Sequence, residues 1–111
     1  MNTTEIGRNA EKFVAEYLII QGHTIVSLNW RTRWCEIDIV SKTKNCVYFT
    51  EVKFRSSSNW GEGLDYITNK KLKQMKFSAE MWINDNKWQK EALLQAASVN
   101  NLKEIEVDEI D

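Results

Sequence analysis

Two short stretches separated by a polar loop restrict the fold more than any other feature of this 111-residue chain. Cys35-Glu36-Ile37-Asp38-Ile39-Val40 and Tyr48-Phe49-Thr50-Glu51-Val52-Lys53-Phe54-Arg55 both alternate apolar and polar residues with period two, the pattern of paired strands. Ser41 to Asn45 is a polar connection of the length that closes a hairpin. Alternation sorts the side chains by face: Glu36, Asp38 and Val40 on one side, Ile37 and Ile39 on the other. In the second strand Val47, Phe49, Glu51, Lys53 and Arg55 oppose Tyr48, Thr50, Val52 and Phe54. Glu51 and Lys53 thus share a face, which Asp38 joins if the register allows. Carboxylates on a mostly apolar strand face cost several kcal/mol to desolvate unless a cation sits among them. The set is a candidate metal site.

The remainder of the chain supplies elements to cover such a sheet. Glu5 to Gln21 reads as a helix capped by Thr4 and stopped by Gly22, with Ala10, Phe13, Val14, Tyr17 and Leu18 as its buried stripe. Glu11 falls on or beside that stripe, so it points toward the sheet, or pairs with Arg8 one turn back. Gly7 leaves room on the same line, or simply weakens the helix. Thr24 to Arg33 reads as a strand, with Arg31 and Arg33 at its end as phosphate contacts or ordinary exposed arginines. His23 reads as a surface turn residue, and Trp30 and Trp34 as core or sheet-surface anchors rather than base-stacking platforms. Ser56 to Gly63 is a flap beside the site or a plain connection.

A second helix is expected from Asn69, capped by Thr68, to Ile83, with Leu72, Met75, Ala79, Trp82 and Ile83 inward. Lys70, Lys71, Lys73 and Lys76 crowd its start, where the helix dipole disfavours cations; they suit a phosphate track or a solvated face. Ala92–Val99 and Glu104–Ile110 read as a buried and an edge strand, the latter with Ile105 and Val107 inward.

Charge is distributed unevenly. Residues 29–90 hold 12 Lys/Arg against 7 Asp/Glu, whereas residues 91–111 hold Lys103 alone against six acids, within a net charge of −1. The net charge therefore argues against a protein that coats nucleic acid by bulk electrostatics, while the basic middle surrounds the candidate site. With 42% hydrophobic residues the chain suits one domain over residues 1–111. No apolar run spans a bilayer and the N-terminus lacks a signal-peptide layout, so a cytoplasmic location is expected. Cys35, Cys46 and His23 cannot make a four-ligand zinc site, and the cysteines read as reduced.

Asp38 followed by Glu51-Val52-Lys53 resembles the D…(D/E)-x-K pattern of restriction-endonuclease-like nucleases. Gly7-Arg8-Asn9-Ala10-Glu11, Asn29-Trp30-Arg31, Glu36-Ile37-Asp38 and Phe49 to Arg55 together resemble the YraN family of small bacterial predicted endonucleases, related in fold to archaeal Holliday-junction resolvases. The likeness covers roughly residues 1–85. Cys35 departs from it, standing where the family usually has Gly before Glu-Ile-Asp. The resemblance implies an α/β restriction-endonuclease-like fold with a mixed central sheet, in the order α-β-β-β-α-β. It implies Mg²⁺- or Mn²⁺-dependent cleavage of DNA, including branched or junction DNA. Asp38, Glu51 and the Val52 carbonyl would be the ligands, Lys53 would orient water or stabilise charge, and Glu11 would assist. Arg8, Arg31, Arg33, Arg55, Lys70, Lys71 and Lys73 would contact the nucleic acid. Resolvase-like cutting of two strands would need a homodimer. A noncatalytic nucleic-acid-binding module on the same scaffold, or a protein-interaction domain using the acidic end, are the competing readings.

Overall fold

The computed structural model describes residues 2–55 and 67–110. The flap expected at Ser56 to Gly63 lies outside the described residues. The elements run α1 (Thr3–Ile20), β1 (Thr24–Arg31), β2 (Glu36–Lys42), β3 (Cys46–Arg55), α2 (Asn69–Asn86), β4 (Glu91–Asn100) and β5 (Ile105–Ile110). They form a five-stranded sheet in the order β1-β2-β3-β4-β5. β1, β2 and β3 make an antiparallel meander, β3 and β4 run parallel across the α2 crossover, and β5 returns antiparallel. The mixed sheet and two helices are consistent with the restriction-endonuclease-like fold, in the order α-β-β-β-α-β-β, one strand beyond the shorter expected order.

Local chemistry explains the helix ends. Asn2, not Thr4, caps α1: its Oδ1 accepts the Glu5 N–H at 2.9 Å, so the helix starts a residue before Thr4. At the other end Gly22 adopts φ 99°. Its N–H bonds the Ile19 carbonyl at 3.0 Å and the His23 N–H bonds that of Leu18 at 2.9 Å, a Schellman closure. α2 begins where expected, with Thr68 Oγ1 accepting the Lys71 N–H at 3.1 Å. It continues past Ile83 because Lys87 takes the left-handed terminating position at φ 52°.

The core lies in two layers, one on each face of the sheet. Under α2, Ile37, Val40, Val47 and Phe49 pack with Ala79 and Trp82. The Phe49 and Trp82 rings meet edge to face at 5.5 Å. Under α1, Val14, Ala15 and Leu18 pack with Ile39 and Ala97, and Val52 and Val107 border them. Ala15 joins this stripe in place of Phe13 and Tyr17, which are half-buried. Polar groups inside the sheet are paired, as burial requires: Gln95 Nε2 donates to Thr50 Oγ1 at 2.9 Å.

Three further expectations are corrected. Ile37 and Ile39 do not share a face: Ile37 belongs to the α2 layer and Ile39 to the α1 layer, so the alternation of β2 breaks at Asp38. His23 is more than a surface turn residue. Its Nδ1 lies 2.9 Å from Oγ of the fully buried Ser41, its ring centre lies 4.4 Å from that of Tyr48 at a tilt of 51°, and burial lowers its pKa. Trp30 does pack against the core, but Trp34 is 67% exposed. Cys35 and Cys46 are both free thiols. No helix among the described residues is long and apolar enough to cross a membrane.

Candidate functional site

The site is made where regular strand pairing fails. β2 and β3 are paired from Lys42↔Val47 to Ile39↔Thr50 and then part. Beyond that point the Val52 N–H, which faces β2, donates to Asp38 Oδ2 at 2.9 Å instead of to a backbone carbonyl. The N–H and C=O of an extended residue point to the same side, so the Val52 carbonyl faces the same opening. On the other flank, the pairs Leu28↔Ile39 and Trp30↔Ile37 bracket Asn29, which takes the left-handed conformation at φ 52°. Asparagine tolerates that region better than most residues. Both neighbours of Asp38 are thus irregular, which explains the broken alternation and turns its carboxylate into the gap.

Five elements meet there. Asp38 comes from β2 and Glu51 from β3, and both are half-buried. Glu11, on α1, accepts from Asn29 Nδ2 at 3.0 Å, so the pairing with Arg8 is replaced by a contact across to β1. α2 contributes Lys71, whose Nζ lies 3.0 Å from Glu51 Oε1.

The electrostatics follow from burial and crowding. The Asp38 carboxyl is raised above its usual range chiefly by burial; the Val52 N–H and Lys71 pull it down, and Glu36 pushes it up. Burial also raises Glu51, the Asp38 charge adds to this, and Lys71 opposes both. Glu11 is raised by burial and by Asp38, against the Asn29 hydrogen bond. Glu11 and Asp38 also act on one another, an interaction that favours the proton on Glu11 and the charge on Asp38. Burial and mutual repulsion both disfavour the charged carboxylates, and a cation beside them opposes that shift, as Lys71 does for Asp38 and Glu51.

Beside these groups, Gly7, Arg8, Glu11, Asn29, Arg31 and Asp38 are among the residues lining an open groove of about 480 Å³. A Cβ built on Gly7 meets nothing within 4 Å, so the glycine leaves open space rather than admitting a neighbouring part of the chain.

The other expected site residues are scattered around this centre. Lys53, two residues beyond Glu51, is exposed, whereas the cation on that carboxylate is Lys71. Arg8 reaches the groove. Arg31 pairs with Glu36 at 3.0 Å, both side chains well exposed. The Arg33 guanidinium lies 4.8 Å from the centre of the Trp34 ring. Arg55 is half-buried at the end of β3, and Lys70 and Lys73 are exposed on the first turns of α2. Among the described residues no three His, Cys, Asp or Glu side chains converge into a ready-made metal cage.

Sequence reasoning missed Asn29 as the residue that holds Glu11 and Lys71 as the partner of Glu51. Lys71 had a legible signal, because it stands four residues before Met75 and eleven before Trp82 on the buried line of α2. Asn29 had none beyond the tolerance of asparagine for positive φ. The Cys35 departure proves mild. The turn is closed by the Thr32 N–H on the Cys35 carbonyl at 2.8 Å, and Cys35 is not among the positive-φ residues, so the position makes no demand for glycine.

Comparison with known proteins agrees with the ordered motifs. A profile for "Uncharacterised protein family UPF0102" matches residues 10–108. A UPF0102 protein of Leifsonia xyli subsp. xyli is 36% identical over 78 residues, which are 70% of this chain and 66% of that protein. A UPF0102 protein of a Sulfurihydrogenibium species is 35% identical over 89 residues, 80% of this chain and 77% of its own length. One from Clostridium novyi is 37% identical over 82 residues, 74% of this chain and 68% of its own. These matches, which span most of the chain, place it in one family: it belongs to UPF0102, the YraN family.

Proposed function

We propose that this chain is a metal-dependent endonuclease that hydrolyses DNA phosphodiester bonds. The observation that carries the reading is the pair Asp38 and Glu51. Both carboxylates are half-buried: Asp38 turns into the gap between parted strands, Glu51 lies near enough for the Asp38 charge to raise it, a third acid stands beside Asp38, and Lys71 is the one cation in contact with the set among the described residues. Such a gap costs stability and has no use in packing, since an aliphatic pair would close it.

The donor set fits a hard divalent cation. Mg²⁺ typically takes one or two protein carboxylates and completes its shell with water and phosphate oxygens, so a three-acid cage is not required. Asp38, Glu51 and the Val52 carbonyl would hold Mg²⁺ or Mn²⁺, which when bound supplies charge neutralisation at a phosphoryl group and a more acidic water. The side chains do the rest. The Val52 N–H fixes one oxygen of Asp38, leaving the other free. Asn29 holds Glu11 at the groove, where it can accept a proton or orient water. Lys71 neutralises Glu51 and is placed to meet a phosphate if Glu51 turns away from it. Lys53 is left to act from the exposed face, and Arg8 and Arg31 supply positive charge along the groove.

A noncatalytic nucleic-acid-binding module is the second reading, favoured by the Lys71 ammonium already sitting on Glu51 and by the absence of a three-acid cage among the described residues. The two are separated by incubating labelled linear, flapped and four-way DNAs with the protein in Mg²⁺, Mn²⁺ or EDTA. The nuclease reading expects metal-dependent cutting that Asp38→Ala and Lys53→Ala abolish. Binding without cutting by the wild-type protein would replace it with the binding module.

A further inference from the structure

We propose that Trp34 and Phe77 form a pocket that takes an unpaired base, so that the substrate of this chain is single-stranded DNA or DNA bearing a single strand. The proposal rests on the nuclease reading for the purpose of the pocket but not for its existence. Trp34 is 67% exposed and Phe77 is 50% exposed, and both line one cavity of about 400 Å³ between the β1–β2 turn and α2. Trp30, Trp82 and Trp88 all pack in or against the core, so Trp34 is the outlier among the described tryptophans.

Its exposure is not that of a loose loop. Thr32 Oγ1 accepts the Trp34 N–H at 3.0 Å and the Cys35 N–H at 3.2 Å, and the Thr32 N–H returns to the Cys35 carbonyl at 2.8 Å. The Cys35 thiol then reaches Met81 Sδ on α2 at 3.6 Å, tying the turn to the helix that carries Phe77. A large aromatic held in water by a closed turn is a platform in search of a planar partner.

Charge chooses the partner. Lys71 and Lys73 line the same cavity, and Arg33 stacks over Trp34. Aromatic faces interleaved with cations fit a base with its phosphate, and Arg33 can exchange the ring for that phosphate. Duplex bases already stack on one another, so an unpaired base alone can enter. The pocket adjoins the carboxylates on two sides: Lys71 holds Glu51, and Glu36 lines both this cavity and the groove of Glu11 and Asp38. A strand anchored by one base here would run past Asp38.

The test is fluorescence anisotropy in EDTA, where cutting does not intrude, with a labelled oligothymidylate and a blunt duplex of matched length. Trp34→Ala is expected to weaken single-strand binding about ten-fold and Phe77→Ala to weaken it less, while Trp34→Phe largely restores it and the duplex is unaffected. Equal losses on both DNAs, no loss on the single strand, or no single-strand binding by the wild-type protein each overturn the pocket. Selective loss in a protein that cuts nothing would uphold the pocket and reject the nuclease. Metal-dependent cutting of all substrates, unchanged in Trp34→Ala along with single-strand binding, would do the reverse. Because Trp34 is exposed, its variants should melt as the wild type does.

Discussion

Replacing Asp38 by asparagine or by alanine removes the same charge but treats its neighbours differently. The Val52 N–H at the parted strands has the Asp38 carboxylate as its acceptor, at 2.9 Å. Alanine orphans that donor, which costs about 1–3 kcal/mol. At about 4 °C per kcal/mol for a chain of this size, Tm should fall by roughly 4–12 °C. Asparagine keeps an oxygen acceptor and removes an anion that burial and Glu36 disfavour. In EDTA at pH 7, Asp38→Asn should therefore melt at or above the wild type. The pH dependence has a definite sign. The Asp38 pKa is raised in the fold from its ordinary 3.8, so the ionised form destabilises the native state. That penalty is absent below the unfolded pKa, grows as pH rises toward the folded value and is constant above it. The advantage of Asp38→Asn over the wild type should follow the same course. Mg²⁺ should reverse the order, raising the wild-type Tm by about 2.7 kcal/mol worth of stability at a hundred times its Kd and leaving Asp38→Asn unmoved. Scanning calorimetry or circular dichroism across pH, with and without Mg²⁺, measures all of this. If Asp38→Asn melts as low as Asp38→Ala in EDTA, or if its advantage does not grow with pH, the electrostatic account of the site is wrong.

Asn29 tests how Glu11 is positioned. Because φ is 52° there, Asn29→Ala should be about 1–2 kcal/mol less stable than Asn29→Gly in denaturant titrations, since alanine alone pays for the left-handed backbone. Both should raise the Glu11 pKa, whose hydrogen bond from Asn29 lowers it; equal stabilities for the two variants would show that the strand kink does not persist in solution. Lys71 and Lys53 can be compared through Glu51. Carboxyl NMR titration should find Glu51 raised further in Lys71→Met and nearly unchanged in Lys53→Met, because Lys71 lies 3.0 Å away and Lys53 is exposed; matching shifts would mean that the E-x-K lysine, not the helix lysine, neutralises the site.

The sequence by itself determined the elements, because they follow from local patterns. Period-two alternation placed β2 and β3, and Thr68 and Gly22 marked two helix ends through their hydrogen-bonding chemistry and tolerance of φ. It also singled out Asp38, Glu51 and Glu11, because charged residues on apolar stripes are conspicuous. Only the tertiary structure decided what joins them. The break in alternation that separates Ile37 from Ile39, the left-handed Asn29 opposite Asp38 and the Lys71–Glu51 pair each depend on where two distant segments stop pairing or begin to touch. Trp34 makes the same point: its type and place suggested a core or sheet-surface anchor, and a turn pinned by Thr32 holds it in water instead. Local periodicity records which face a residue prefers, whereas irregular pairing is a compromise among strands and helices far apart in the chain, and no window of sequence contains all the parties to it.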